Sequence, residues 1–332
     1  MPEVVEVCMT SIFLNHILKN KHLTKLQILE DSRYFKKPIK NIDVLNKLTN
    51  PLIKSVNSKG KFMWLTLISK NQEFYILNTY GLSGGWSILK RKNTGIVLHI
   101  KEDIIDDEKL RNVEHKMHHQ VYFYDQLHYG TLSIETSYEA LKKKLNKLGP
   151  DLLKEDYTFD EFKQRCKTLC DKSSKKNKKI VEVLMDQTAS GGIGSGIGNY
   201  LVAEILYNSK ISPFKILCEI YNDNTLLNKL YNSIRYVIKL SFMTADNGYL
   251  EYVDEYIQRY IKKIRNHIYN NPTSNHKYNF LKDVIIPKKS KFIFNVYMQD
   301  MDPSGNIVSK DIIVNAGKKT KRTTYWVKKI QK

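Results

Sequence analysis

The spacing of apolar residues divides the chain into two parts. From about residue 23 to residue 140, short alternating runs of apolar and polar residues predict strands separated by turns. Many short strands at this spacing favour a β-sandwich or barrel. The clearest runs are Phe62–Ile68, Glu73–Leu77, Thr94–Ile100 and Gln120–Tyr124.

The character of the pattern changes at Leu148-Gly149-Pro150 and again near residue 291. An amphipathic helix is predicted near the N-terminus, where Ile12–Leu18 are apolar-periodic, and helices dominate beyond residue 150. We therefore expect an α+β protein with an N-terminal β-sandwich domain (1–147), a helical domain (148–290) and a β-hairpin appendage (291–332). The predicted helices are Thr158–Leu169, Ile180–Met185, Tyr200–Tyr207 and stretches between 226 and 269, and the predicted late strands are Lys291–Met298, Lys310–Val314 and Arg322–Lys328.

Composition narrows the class of protein. A chain of 332 residues with 42% hydrophobic and 27% charged residues is typical of a soluble protein with two cores. The longest apolar runs fall short of the roughly 18 residues that cross a bilayer, so we expect no membrane segment, and the N-terminus lacks the pattern of a signal peptide. Four scattered cysteines indicate a reducing compartment and no disulfide framework.

Net charge points to the partner. The chain carries 54 Lys and Arg against 34 Asp and Glu, a formal charge of +20. Such a chain suits a polyanion, with nucleic acid the first candidate and an anionic membrane surface the second. A lysine-rich composition bias accounts for part of the excess, so charge alone does not decide the partner.

The first candidate for chemistry is Pro2-Glu3. Once Met1 is removed, Pro2 is a secondary amine that titrates near ~8, so a useful fraction is nucleophilic at neutral pH. Attack on a sugar C1′ gives an iminium ion that acts as an electron sink, and Glu3 is placed to move protons. A Met-Pro-Glu start is by itself a weak signal.

A second candidate is the glycine turn at residues 196–199, which leads into the apolar run NYLVAEILY. Glycines let backbone approach a ligand, and free N–H groups at a helix start suit a phosphate. Asn199 adds a side-chain donor there. A plain loop would explain this turn equally well.

Together these motifs resemble the formamidopyrimidine-DNA glycosylase and endonuclease VIII (Fpg/Nei) family. Five landmarks occur in the order of that family's own, from residue 2 to residue 326. They are Pro2-Glu3 with Glu6-Val7, Gly60-Lys61-Phe62, Tyr80-Gly81-Leu82-Ser83-Gly84, the helix–two-turn–helix string from Gly196 to Phe214, and Lys321–Trp326.

The resemblance implies roles for individual residues. Pro2 would form the Schiff base, Glu3 would assist loss of the base, and Lys61 would contact phosphate and support catalysis. Gly198 and Asn199 would hold a phosphate beside the lesion, and Glu6 would be structural or a proton relay. Removal of the base would then be followed by β,δ-elimination, which cuts the strand on both sides of the abasic sugar.

The C-terminus departs from the family pattern. Most members end in a four-cysteine zinc finger, but no cysteine follows Cys218 here. The resemblance of Lys321–Trp326 to the finger's second strand implies a zincless finger in which Arg322 grips phosphate. We expect no metal and no cofactor, and we interpret His115, His118 and His119 as surface histidines.

The loop that fills the space of a flipped base also departs from the pattern. Leu82 would plug the stack and Tyr129 would act as a wedge. His128, or Leu127 if the register slips, stands where the family carries an arginine that reads the opposite base. Selectivity for that base is therefore expected to be low.

The predicted function is a bifunctional DNA glycosylase and abasic-site lyase acting in base excision repair. Its target nucleotide would be extruded from the helix, because C1′ is unreachable inside a duplex. By analogy with zincless members, the substrates would be oxidised pyrimidines and hydantoins. The expected partner is damaged double-stranded and possibly single-stranded DNA, bound by a monomer. The alternatives are a non-catalytic DNA-binding module of the same fold and a protein that binds RNA or membranes non-specifically.

Overall fold

The structure is a computed structural model that describes residues 1–101, 119–174, 176–246, 248–250, 253–314 and 321–332. The α+β class expected from the sequence is confirmed. The chain forms two compact units, which we call the β unit and the helical unit. The β unit comprises Met1–Pro2, Glu6–Leu145 and Glu251–Ile261, and the helical unit comprises Glu3–Val5, Asn146–Leu250 and Lys262–Lys332. The three-part boundary at 147 and 290 stays a prediction.

An antiparallel sheet of eight strands forms the core of the β unit, in the order β5-β7-β6-β1-β2-β3-β4-β8. A single residue pair, His22 with Leu52, joins β1 to β2, so the sheet divides into two four-stranded halves, as in a sandwich. Strands β3, β4, β6 and β7 confirm the four predicted runs. The strands are β1 (His22–Ile28), β2 (Leu52–Lys59), β3 (Phe62–Ser69), β4 (Gln72–Thr79), β5 (Gly84–Ser87), β6 (Thr94–Lys101), β7 (Gln120–Asp125) and β8 (Thr131–Glu135).

The first helix, α1 (Val4–Leu18), forms as predicted but is not amphipathic. Every residue from 4 to 14 is buried, so this helix needs no polar face. Its polar side chains are satisfied internally: Thr10 Oγ1 donates to the Glu6 carbonyl at 2.8 Å, and Ser11 Oγ lies 2.9 Å from Ser58 Oγ of β2. Two shorter helices, α2 (Ile42–Asn46) and α3 (Tyr138–Leu145), complete the helices described in this part.

Among the residues that the structure describes, six further helices follow from residue 159 onward. Thr158 caps α4 through a capping box with Glu161, and Asp223 caps α8 by accepting two backbone N–H groups. In the described parts of the chain, no helix is both long and apolar enough to span a bilayer. The helices are α4 (Phe159–Cys170), α5 (Ile180–Met185), α6 (Asn199–Ser209), α7 (Leu217–Asn222), α8 (Asn224–Thr244) and α9 (Glu255–Asn270).

The predicted C-terminal hairpin is present as β9 (Ser309–Val314) and β10 (Lys321–Trp326), which pair antiparallel along their length. The turn between them lies outside the described residues, as do His115 and His118. A buried apolar cluster anchors the hairpin region to α6. It contains Ala203, Val296, Val308 and Val327, with Tyr207, Tyr297, Tyr325 and Ile330 packed against it.

The strand predicted over Lys291–Met298 is wrong, because this segment is irregular. The buried carboxylate of Glu204 on α6 accepts the backbone N–H groups of Asn295, Val296 and Tyr297 at 2.9–3.0 Å. The carboxyl group of a helix residue thus accepts the backbone N–H groups that would otherwise pair with a neighbouring strand. Burial raises the pKa of Glu204, against the opposing effect of these hydrogen bonds.

A second carboxylate organises the loop before β9. Asp302, which is buried, accepts the backbone N–H groups of Ser304 at 3.0 Å and Asn306 at 2.7 Å. Its Oδ2 accepts the Tyr207 hydroxyl of α6 at 3.1 Å. Burial alone would raise the pKa of Asp302, but hydrogen bonds from Asn306, Tyr207 and Ser304 hold it below its usual value. The loop therefore has this stabilisation above the usual carboxyl pKa and loses it as the pH falls.

We expect the finger to be held by this carboxylate and not by zinc. Asp302→Ala should lower the free energy of unfolding by about 2 kcal/mol, because buried donors lose their acceptor. Thermal unfolding with and without EDTA, together with elemental analysis, measures both points, and EDTA should leave the wild-type midpoint unchanged. The matched control is Asp300→Ala, since Asp300 is exposed and its carboxylate forms an ion pair with exposed Lys310. One tightly held zinc per chain would contradict the expectation.

Candidate active site

The carboxylate of Glu3 lies at the start of α6, within the helical unit. Its Oε2 accepts the backbone N–H of Gly198 at 2.5 Å and that of Leu201 at 3.4 Å, while Oε1 accepts that of Tyr200 at 3.0 Å. Glu3 is fully buried. The first N–H groups of a helix carry partial positive charge and have no partner inside the helix, so they stabilise negative charge on this carboxylate.

This arrangement assigns different tasks to the two residues expected to grip phosphate. The N–H of Gly198 is taken by Glu3, so a phosphate contact of Gly198, which stays a prediction, does not use that donor. Asn199 is the first residue of α6 and is half-buried, so its side chain keeps access to solvent. The turn thus holds Glu3 through its backbone and presents Asn199 beside it.

Gly196 fixes the chain on the other side of Glu3. The Val4 backbone N–H donates to the Gly196 carbonyl at 3.0 Å. Gly196 has a φ of 121°, and a Cβ placed there would lie 2.5 Å from Val4 Cβ. Only glycine meets both conditions without strain. In the string GGIGSGIGN (residues 191–199), the second of the two GIG copies leads into α6.

Gln187, which sequence reasoning missed, ties this turn to the end of α5. Its Nε2 donates to the carbonyls of Met185 at 2.9 Å and Ile197 at 2.7 Å, and its Oε1 accepts the Gly196 N–H at 2.6 Å. The predicted phosphate residue Arg322 reaches the same helix end, with Nη1 3.6 Å from Met185 Sδ. The structure thus brings Glu3, Asn199 and Arg322 to one region of the helical unit.

The other predicted catalytic residues belong to the β unit. Pro2 is buried and precedes Glu3 directly, and Glu6 is buried on the first turn of α1. Lys61 lies in the two-residue turn between β2 and β3, where the preceding Gly60 has a φ of 55°. Glycine at the first central position is typical of such tight hairpins. This geometry places half-buried Lys61 at the tip of a rigid hairpin.

Two loops of the β unit are joined by Asp125. We call residues 80–84 the plug loop and residues 125–130 the wedge loop. Ser83 Oγ donates to Asp125 Oδ1 at 2.6 Å and accepts the Leu127 N–H at 2.9 Å, while the Gly130 N–H donates to Asp125 Oδ2 at 2.5 Å. A Cβ on Gly81 would lie 2.8 Å from Tyr129 Cβ, so the loops are in close contact.

The tips of these loops expose apolar side chains. Leu82 is 40% exposed, Leu127 50% and Tyr129 60%. His128 between them has a left-handed backbone with a φ of 56°. An exposed apolar group held on a rigid base is what insertion between stacked bases requires. The predicted plug and wedge residues are thus brought together, with Leu127 as a third exposed member.

Comparison with known proteins decides the family. The formamidopyrimidine-DNA glycosylase N-terminal domain model matches residues 1–132, and the C-terminal domain model matches residues 283–332, together more than half of the chain. The chain belongs to the formamidopyrimidine-DNA glycosylase (Fpg/Nei) family. The Prochlorococcus marinus (strain MIT 9301) formamidopyrimidine-DNA glycosylase is 26% identical over 261 residues, which cover 76% of this chain and 84% of the relative. The Mycoplasma genitalium enzyme is 28% identical over 218 residues, covering 64% and 66%.

Solved Fpg structures share the fold. The Thermus thermophilus MutM (Fpg) structure matches with a TM-score of 0.65 at 17% identity, over 99% of this chain and 98% of that one. A Lactococcus lactis Fpg bound to DNA containing an oxidised pyrimidine matches with a TM-score of 0.66 at 15% identity, over 100% of both chains. Among the residues that the structure describes, no group of three or more His, Cys, Asp or Glu side chains is arranged to hold a metal.

Gly196→Ala tests whether the attachment of Glu3 and Val4 to the turn before α6 is needed for activity in this Fpg/Nei chain. The added methyl meets Val4 and the positive φ adds strain, so the free energy of unfolding should fall by about 2–3 kcal/mol. Formation of a borohydride-trapped adduct on abasic DNA should fall with it at temperatures where the variant stays folded. The control is Gly305→Ala, because Gly305 has a φ of 77° with open space around it. Equal trapping by both variants would contradict a role for this attachment.

Proposed function

We propose that this family member is a bifunctional glycosylase and abasic-site lyase that removes oxidised bases in base excision repair. The observation that carries the proposal is the buried Glu3 carboxylate on the N-terminus of α6, directly after Pro2. A binding module would use this carboxylate only to cap α6, whereas catalysis also uses its position directly after a potential nucleophile. This observation therefore favours catalysis over a non-catalytic module.

The chemistry assigns one step to each residue. The neutral Pro2 nitrogen attacks C1′ as the N-glycosidic bond breaks, and the proton lost from that nitrogen leaves with the base. Protonation of the sugar ring oxygen then breaks its bond to C1′ and gives a ring-opened iminium ion. Loss of a C2′ proton from this ion expels the 3′ phosphate by β-elimination, and loss of a C4′ proton then expels the 5′ phosphate by δ-elimination. Glu3, whose carboxylate accepts three backbone N–H groups, stabilises the cationic sugar and takes up protons. Glu6 is assigned a structural or relay role behind it.

Phosphate contacts are proposed for three residues. Lys61, at the β2–β3 turn, and Arg322, on β10, supply positive charge, and Asn199 supplies an amide donor. Their positions at a hairpin tip, on an edge of the C-terminal hairpin and at a helix start all suit backbone contact and not base reading. A net charge of +20 supports DNA as the partner.

The substrate class is proposed to be oxidised pyrimidines and hydantoins, bound as an extruded nucleotide by a monomer, in duplex or single-stranded DNA. Solved relatives include a MutM complex with DNA containing carbocyclic 8-oxo-G and the Lactococcus lactis complex with an oxidised pyrimidine. We propose that the finger works without metal and that the hydrogen bonds to the Asp302 carboxylate keep its loop ordered.

Replacing the nucleophile tests the mechanism. Pro2→Gly should reduce borohydride trapping on abasic DNA by at least about a hundredfold, because the constrained secondary amine is lost. Binding to DNA with a tetrahydrofuran site should persist. Denaturing electrophoresis of the trapped adduct measures the first quantity, and fluorescence anisotropy the second.

The matched control is Pro38→Gly, at an exposed proline of the β unit, which should trap like wild type. A Pro2→Gly variant that forms the borohydride adduct and cuts DNA as wild type does would contradict the proposed mechanism. If the wild-type protein binds damaged DNA but never forms an adduct, the non-catalytic module is the better description.

Low selectivity for the opposite base is the second prediction of this function. An arginine would offer two fixed donors worth ~1–3 kcal/mol of discrimination, whereas His128 offers at most one and Tyr129 only stacking. Excision of one hydantoin opposite each of the four bases should vary by less than about tenfold, and single strands should be cut. Strong preference for opposite cytosine would show that another residue reads that strand.

A further inference from the structure

Arg33 contacts the wedge loop from outside it, although it is nearly a hundred residues away in sequence. This exposed residue lies between β1 and α2, and its Nη1 donates to the His128 carbonyl at 3.0 Å and the Gly130 carbonyl at 3.4 Å. The two carbonyls flank Tyr129. One nitrogen therefore holds the backbone on both sides of the proposed wedge.

The backbone at this point needs such restraint. His128 adopts a left-handed conformation, with a φ of 56°, which a residue with a side chain seldom occupies without support. The Tyr129 ring is 60% exposed, so packing around the ring does not fix its direction. The backbone on either side of the ring is instead in contact with Arg33, Asp125 and Gly81.

The guanidinium is itself held in place. Arg33 lies over the ring of Tyr34, with 5.6 Å between the guanidinium carbon and the ring centroid. The Tyr34 hydroxyl donates to the Leu132 carbonyl at 3.1 Å and accepts the Leu132 N–H at 2.6 Å. Leu132 belongs to β8, so Tyr34 links the Arg33 guanidinium to the sheet.

We infer that Arg33 is a positioning residue for Tyr129. Arg33 holds the wedge loop, before DNA binds, in the conformation from which Tyr129 inserts into the base stack. The inference rests on the proposed function, since it takes Tyr129 as the residue that fills the stack. A loop ordered in advance loses less conformational freedom on binding, so the benefit appears only with lesion DNA whose stack must be filled.

A direct contact to DNA is the competing role. Within the described part of the chain, Nε and Nη2 of Arg33 contact no acceptor. Those donors are therefore available to a phosphate. The two roles differ in one measurable respect: positioning acts through Tyr129, whereas a phosphate contact acts without it.

A double-mutant cycle separates them. The variants are Arg33→Ala, Tyr129→Ala and the pair together, with Arg33→Lys to keep the charge without the planar fork. Each full-length protein is titrated against duplex DNA with a tetrahydrofuran site at several salt concentrations. A 2-aminopurine beside that site reports unstacking by its fluorescence. Lys92→Ala, at an exposed lysine of the same unit, is the control for loss of one charge.

For a positioning role, Arg33→Ala should weaken binding about tenfold and lower the 2-aminopurine signal, and both effects should vanish when Tyr129 is already alanine. Arg33→Lys should resemble Arg33→Ala, and the salt dependence should stay unchanged. Undamaged duplex and single strands should bind all variants alike.

An additive effect in the Tyr129→Ala background, with a salt slope shallower by about 0.9, would overturn the inference in favour of a phosphate contact. Wild-type behaviour of Arg33→Ala would also overturn it. These binding measurements do not require Pro2 to react. If the effects of Arg33 and Tyr129 are coupled but no borohydride adduct forms, only the proposed catalytic function is rejected. Trapping without coupling would reject only the role of Arg33.

Discussion

The hydrogen bonds between the Glu3 carboxylate and the start of α6 are the constraint on which the rest of the site depends. The nitrogen of Pro2, the proposed nucleophile, has covalent support on one side only once Met1 is removed. Here the next residue is locked to backbone almost two hundred residues away, in the buried interior. The same bonds satisfy helix donors that would otherwise be buried without partners. The position of Glu3 and the stability of the helix start therefore come from one interaction.

Helix α6 serves as the support for three separate features. Its first turn holds Glu3, its middle carries Glu204 for the segment 295–297, and its last turn carries Tyr207 for Asp302. Because a helix is stiff, these attachments keep fixed spacings of about 1.5 Å per residue along its axis. Helix α6 therefore holds both the turn that presents Asn199 and the segments that lead to the finger.

Local patterns predicted most of the regular elements, while the catalytic role of Pro2-Glu3 stays a prediction. Alternation found β3, β4, β6 and β7, and glycines before an apolar run found the beginning of α6. Prediction failed where a distant polar group decided the outcome. The segment Lys291–Met298 has strand-like composition, but its backbone N–H groups donate to Glu204. Helix α1 is buried on every face from residue 4 to residue 14, although its sequence contains polar residues. Gln187 and Arg33 carry no local signal, because their importance lies in carbonyl groups that only the fold brings near them.

The loop at residues 302–306 is organised by the carboxylate of Asp302, and this choice of group affects its sensitivity to oxidation. Cysteine thiolates that bind zinc can be oxidised by peroxide to sulfenic and higher acids, which releases the metal and unfolds the module it held. A carboxylate surrounded by amide donors and a phenol offers no sulfur at that position to such an oxidant. The loop at 302–306 would therefore keep its shape during the oxidative bursts that damage bases, when a thiolate-dependent finger is most vulnerable.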